Sequence, residues 1–159
     1  MKHVISVIVE NKPGVLAHIS SLFAARGYSI DSLAVGETED PAVSRMTLVT
    51  HGDDQIIEQI TKQLRKLIST LKVQDLSESD FIERDLALVR VNVPSGKRGE
   101  ILEIVQIFRG KVVDVGSKDL VVELSGQESK IQALVDLLKP YGIKELARTG
   151  SIAMSRGAK

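Results

Sequence analysis

The chain has no cysteine and no tryptophan, only three phenylalanines and two tyrosines, and no excess of charge, with 21 Lys plus Arg against 21 Asp plus Glu. Each shortage excludes a class of function. Without cysteine there is no disulfide, no thiolate nucleophile and no zinc–thiolate site. A balanced charge argues against nucleic acid as the main partner, because neutralising phosphates needs a basic excess. An RNA-binding sheet would also need aromatic residues to stack bases on. The longest apolar runs are of strand length and are broken by polar residues, so neither a membrane span nor a signal peptide is expected, and a cytoplasmic location is. His3, His18 and His51 are too far apart to form a recognisable metal spacing. No nucleophile–base pair and no paired carboxylates stand at credible spacing, so no catalytic residue and no metal ligand is assigned.

What is present is a pattern that occurs twice. An apolar run from Val4 to Glu10 is followed by a helical stretch from Pro13 to Arg26, with Val15, Leu16, Ile19, Leu22 and Phe23 at helical spacing. Gly27 suits a left-handed helix end. Strands are expected over 28–38 and 43–51, a helix over 53–69 with Ile56, Ile60, Leu64 and Leu67 inward, and a strand over 71–76. The second half repeats the order. It has a strand over 86–93, a Pro94-Ser95-Gly96 break, a helix through Phe108 stopped by Gly110, strands over 111–115 and 120–124, a helix over 128–139 and a strand over 143–149. The fold class is therefore α+β, with two successive βαββαβ ferredoxin-like domains. The polar run Ser77-Glu78-Ser79-Asp80 divides the chain into domains 1–78 and 79–159. Each sheet is expected to carry helices on one face only. Its open face and edges are then available to another copy or another protein.

The segment best equipped to bind a ligand is Glu10-Asn11-Lys12-Pro13-Gly14-Val15-Leu16. A strand enters a tight turn and a helix opens at once. The start of a helix has unpaired N–H groups and a partial positive charge, which suits a small anion such as a carboxylate. Gly14 permits close approach to the backbone, and Pro13 suits the first helical position. On the residues alone, Gly14 is equally a turn glycine, and capping the helix is the favoured role of Asn11. Arg45, in an otherwise apolar strand, faces either a partner or the open side of the sheet. Ser95-Gly96-Lys97-Arg98-Gly99 lacks the spacing and the Lys-Ser/Thr ending of a phosphate loop.

The stretch Val9-Glu10-Asn11-Lys12-Pro13-Gly14-Val15-Leu16, with Phe23-Ala24-Ala25-Arg26-Gly27-Tyr28-Ser29-Ile30-Asp31-Ser32-Leu33, resembles the opening of the ACT domain, an amino-acid-sensing module. Four further segments resemble, more narrowly, the family of small regulatory subunits of acetolactate synthase (acetohydroxyacid synthase). They are Asp40-Pro41-Ala42-Val43-Ser44-Arg45-Met46-Thr47-Leu48-Val49, Glu83-Arg84-Asp85-Leu86-Ala87-Leu88-Val89, Ile107-Phe108-Arg109-Gly110-Lys111-Val112-Val113-Asp114-Val115, and Ala147 through Gly157. The resemblance runs through nearly the whole chain.

It implies a regulatory subunit with no catalytic site and no cofactor of its own. The large catalytic subunit is expected to carry thiamine diphosphate, FAD and magnesium. The resemblance also implies a homodimer through ACT domains, with valine bound at the seam as a feedback inhibitor of branched-chain amino-acid synthesis. In this picture the N–H groups of Gly14, Val15 and Leu16, after Pro13, hold the carboxylate. Asn11 offers its carbonyl to the ammonium and a donor to the carboxylate. Ser29, Ile30 and Asp31 of the second copy close the site. Relatives often carry Asn where Ser29 stands, so a shorter side chain reaches less far here. The alternative is a stand-alone ACT-type amino-acid sensor that regulates another partner.

Overall fold

A computed structural model describes residues 1–157. The elements are β1 (Lys2–Glu10), α1 (Val15–Ala25), β2 (Ser32–Glu37), β3 (Val43–His51), α2 (Asp54–Arg65), β4 (Thr70–Asp75), β5 (Phe81–Asn92), α3 (Arg98–Ile107), β6 (Lys111–Val115), β7 (Asp119–Gly126), α4 (Glu128–Leu138), β8 (Ile143–Arg148) and β9 (Ile152–Ser155). The first sheet has strand order β2-β3-β1-β4 and the second β6-β7-β5-β8. All these pairs are antiparallel. Each half thus places its second, third, first and fourth strands side by side, as the βαββαβ reading expects.

The chain forms two compact units, Met1–Ile82 with the segment from Ser151, and Glu83–Gly150. The sequence places all of 79–159 in the second domain, of which the last two residues lie outside those described. By contact, Ser151 onward goes with the first unit.

In the first unit, β1 sends Ile5, Val7 and Val9 to one face, where they meet Val15, Ile19 and Phe23 of α1 and Ile57, Ile60 and Leu64 of α2. Period two on the strand and steps of four on the helix bring these side chains together. Helix α1 ends as its sequence predicts. Gly27 takes φ 70, the Gly27 N–H donates to the Ala24 carbonyl at 3.1 Å, and the Tyr28 N–H donates to the Phe23 carbonyl at 3.0 Å. Leu16, expected on the apolar face, is instead 44% exposed. In α2, Ile57 and Thr61 are fully inward while Ile56 is only half-buried, a small rotation of the expected face.

The open face of this sheet is not bare. Val4 and Val49 project to the side away from the helices and are buried with Leu76 and Ala153, with Phe81 against them. Leu76 sits in a short 3-10 turn (Leu76–Glu78), and Ala153 lies on β9, a strand beyond those the sequence pattern predicts. The Ser151 N–H donates to the Ser32 hydroxyl at 3.1 Å, and the Arg156 N–H donates to the Asp80 carbonyl at 3.0 Å. The expectation that helices alone cover each sheet is thus corrected for part of the first. The returning chain covers the end of its open face.

The second unit packs Ala87, Val89 and Val91 of β5 with Ile101 and Val105 of α3 and Ile131, Leu134 and Leu138 of α4. Its helix α3 ends one residue earlier than Gly110 would require. Arg109 is the residue with positive φ, at 59°, and Gly110 is needed for space, since a Cβ there would lie 3.2 Å from both the Glu123 carbonyl and Val105 Cγ1.

Candidate functional site

Between β1 and α1 the chain turns through Asn11, Lys12, Pro13 and Gly14. Gly14 takes φ 87, a left-handed conformation that L-residues disfavour, and it stands as the N-cap of α1. The expected helix start at Pro13 is therefore corrected to Val15, because a residue at φ 87 cannot continue a right-handed helix. The N–H groups of Gly14, Leu16 and Ala17 donate to no acceptor among the described residues, and the Val15 N–H makes only a long 3.5 Å contact with the Lys12 carbonyl. A Cβ placed on Gly14 would meet nothing within 4 Å. The amides at the mouth of the helix are thus open to approach from solvent, with the helix dipole behind them.

Asn11 does not cap the helix. Its N–H donates to the Ala42 carbonyl at 2.8 Å, and its side-chain NH2 donates to the Pro41 carbonyl at 2.9 Å and to Glu37 Oε1 at 3.3 Å. In this chain both amide donors of Asn11 are directed at the hairpin between β2 and β3. Its carbonyl oxygen accepts from nothing among the described residues and remains available for an ammonium. Glu37 was not foreseen. Only the pairing of β2 with β3, which sets Glu37 opposite Ser44, brings it beside Asn11.

Ser29, Ile30 and Asp31 precede β2, which is shorter than the strand expected over 28–38. The Ser29 carbonyl accepts from the Thr50 hydroxyl at 2.7 Å, and the Asp31 N–H donates to the Val49 carbonyl at 2.8 Å. The Asp31 carboxylate pairs with His51 Nδ1. Ile30 packs against the core, while Ser29 and Asp31 are exposed.

The two halves of the expected site stand at opposite ends of the same sheet. The register places Ser32 opposite Val49 and Val49 opposite Val4, so residues 29–31 lie near the start of β1. Gly14 follows its end at Glu10. Six residues at about 3.3 Å each separate these levels by roughly 20 Å. A single chain does not bring Gly14 and Asp31 together.

The remaining histidines have separate roles. His3 is buried, its Nδ1 2.9 Å from Asp75 Oδ2 and its Nε2 3.7 Å from Asp54, at the side of a cleft of about 570 Å³. His18 is exposed. No group of three or more His, Asp or Glu among the described residues is arranged to hold a metal ion. Among the described residues no helix is long and apolar enough to cross a membrane.

Residues 5–72 match the family described as the AHAS small subunit-like ACT domain, and residues 84–157 match the small subunit of acetolactate synthase. The acetolactate synthase small subunit of Aquifex aeolicus is 54% identical over 156 residues, covering 98% of this chain and 81% of its own. This chain belongs to the acetolactate synthase small-subunit family. The small subunit of Mycolicibacterium smegmatis is 49% identical over 157 residues, covering 99% of this chain and 92% of its own. A crystal structure of the Thermotoga maritima small subunit superimposes with a TM-score of 0.90 at 42% identity, covering 100% of this chain and 99% of that one. Membership of the family implies a regulatory rather than a catalytic role and association with a large catalytic subunit.

Proposed function

We propose that this small subunit binds valine between two copies of its first unit and, through that binding, sets the activity of the acetolactate synthase large subunit. The observation that carries the reading is the Gly14 turn. Uncommitted amides at the start of α1 stand beside the free carbonyl of Asn11 and the carboxylate of Glu37. The amides suit an α-carboxylate, and the two oxygen groups suit an α-ammonium. Leu16, exposed next to them, offers apolar contact to a branched side chain.

Strand β2 is an edge strand, and its Val35 is 49% exposed. If two copies pair β2 antiparallel about a two-fold axis, the start of one β2 lies against the end of the other. Asp31 and Ser29 of one copy then approach Glu37, Asn11 and Gly14 of its partner. The separation within one chain becomes proximity between two.

Magnitudes are consistent with a metabolite sensor. A charge-assisted hydrogen bond contributes about 1.5–3 kcal/mol and burial of a valine side chain a similar amount. After ordering and association costs, a net of roughly 5.5–7 kcal/mol corresponds to a dissociation constant of about 10–100 μM. Regulation then follows by linkage. Valine must favour one arrangement of the dimer and the catalytic subunit another, and each weakens the other's binding equally. Thiamine diphosphate, FAD and magnesium belong, in this reading, to the catalytic partner.

The test mixes the purified chain with its catalytic subunit and measures acetolactate formation with and without valine. The expected result is a raised rate that valine suppresses. A rate unchanged by the small subunit, and insensitive to valine, refutes the reading.

A further inference from the structure

The face of the first sheet turned away from its helices carries one row that the returning chain does not cover. The register sets Gly36 on β2, Arg45 on β3, Ile8 on β1 and Lys72 on β4 side by side. With strands about 4.8 Å apart, the Arg45 and Lys72 backbones stand roughly 10 Å from each other with Ile8 between them. Nearer the start of β1, Ser6 and Thr47 are buried on this face. At the next row the cover fails, so Ile8 and Arg45 are half-buried and Lys72 is exposed.

Arg45 is the unusual member. Its Nε is sealed from solvent and donates to no acceptor, and neither Arg45 nor Lys72 has an ion-pair partner among the described residues. The acidic residue next along this face of β1, Glu10, is already held by Lys12 Nζ at 2.9 Å. Gly36 has no side chain to screen the guanidinium from the β2 side. A buried donor with no acceptor is a cost that native proteins rarely leave uncompensated.

We propose that this row docks an acidic segment of the large catalytic subunit. One carboxylate is received end-on by the two Nη groups of Arg45, a second anionic group lies at Lys72, and an apolar side chain rests on Ile8. The inference rests on the regulatory-subunit reading above. Charge selects the partner. Two cations in a chain of zero net charge are too few for a nucleic acid. A second copy meeting the same row across a two-fold axis would set cations against cations.

The experiment titrates the full chain and its variants Arg45→Gln, Arg45→Lys and Lys72→Gln into the catalytic subunit, at low and at high salt. It reads the small-subunit concentration that gives half-maximal activation. Arg45→Gln is expected to raise that concentration about 10–100-fold and Lys72→Gln about 2–5-fold, both with a shallower salt dependence. Arg45→Lys falls between wild type and Arg45→Gln, because a point charge cannot form the fork. Circular dichroism and valine calorimetry on the isolated variants should match wild type. If Arg45→Gln does not fold, Lys72→Glu, at an exposed position, must weaken activation more than Lys72→Gln. Half-saturation unchanged in both Arg45→Gln and Lys72→Gln, with a wild-type chain that activates normally, overturns the docking surface alone. A wild-type chain that neither binds nor activates the catalytic subunit overturns the regulatory reading and this surface with it. Variants that lose self-association but keep wild-type half-saturation assign the row to contacts between copies and also overturn it.

Discussion

Replacing Gly14 by Asp separates the ligand role of this turn from its folding role. The residue holds φ 87, and an L-side chain there costs about 1–2 kcal/mol. Two effects reduce that cost. Asp enters the left-handed region more readily than most residues, and a carboxylate at the positive end of α1 regains about 0.3–1 kcal/mol. Sterics add nothing, since a Cβ at this position meets no atom within 4 Å. The net loss of stability is therefore about 1 kcal/mol, a fall of about 4–8 °C in the melting temperature for a unit of this size. Ligand binding suffers far more. A carboxylate about 5 Å from the valine carboxylate, at an effective dielectric of about 20, repels it by roughly 3 kcal/mol, which is more than 100-fold in affinity. Gly14→Ala carries the same backbone strain without the charge and should lose less than about 10-fold. The assay is calorimetric titration of valine into the isolated variants, alongside thermal melts. A folded Gly14→Asp chain that binds valine as wild type does would show that the amides at the start of α1 do not hold the ligand carboxylate.

Three further outcomes are expected. Phe23 is 1% exposed and meets Tyr28 edge-on at 6.5 Å between ring centroids, so Phe23→Ala should destabilise the first unit by about 3–5 kcal/mol in urea unfolding. Asp85 is buried and accepts from Arg148 Nη2 at 2.6 Å, from Arg148 Nε at 3.2 Å and from the Thr149 hydroxyl at 3.2 Å. Because Arg148 retains some access to water, Asp85→Asn should cost about 2–3 kcal/mol by the same method, and a loss below about 0.5 kcal/mol would contradict the structure. Gln132 donates to Asp136 at 2.9 Å and holds that carboxyl below its ordinary pKa. This bond favours the ionised form. Its contribution is present above the unfolded-state pKa and is lost as pH falls through the lowered folded-state value. Gln132→Ala should move the Asp136 titration upward in carboxyl-carbon NMR.

How far the site could be read in the chain depended on the range of the interactions involved. The strand β3 and the hairpin strand β6 were predicted to the residue, since alternating apolar positions and flanking turns are local signals. Asp53, the first residue of the helix expected over 53–69, is instead the N-cap of α2, its side chain accepting from the Ile56 N–H at 2.9 Å, because helical spacing does not distinguish a cap from the first helical residue. Asn11 was misread as a cap because capping and hairpin-bridging use the same amide, and only the fold places Pro41 and Glu37 within reach. The cover over Val4 and Val49 comes from a four-residue strand more than 100 positions away in the chain, with no periodicity to announce it.

By itself the sequence determined the βαββαβ order in each half, the apolar stripes that form the two cores, and the Pro-Gly turn that interrupts the first strand and helix. These depend on periodicity and on glycine's backbone freedom, which act between near neighbours. Only the tertiary structure decided that Gly14 and Asp31 stand at opposite ends of one sheet, that Glu37 stands beside Asn11, and that Arg45 is left half-buried without an acceptor. Strand register fixes all three, and register depends on which distant segments pair.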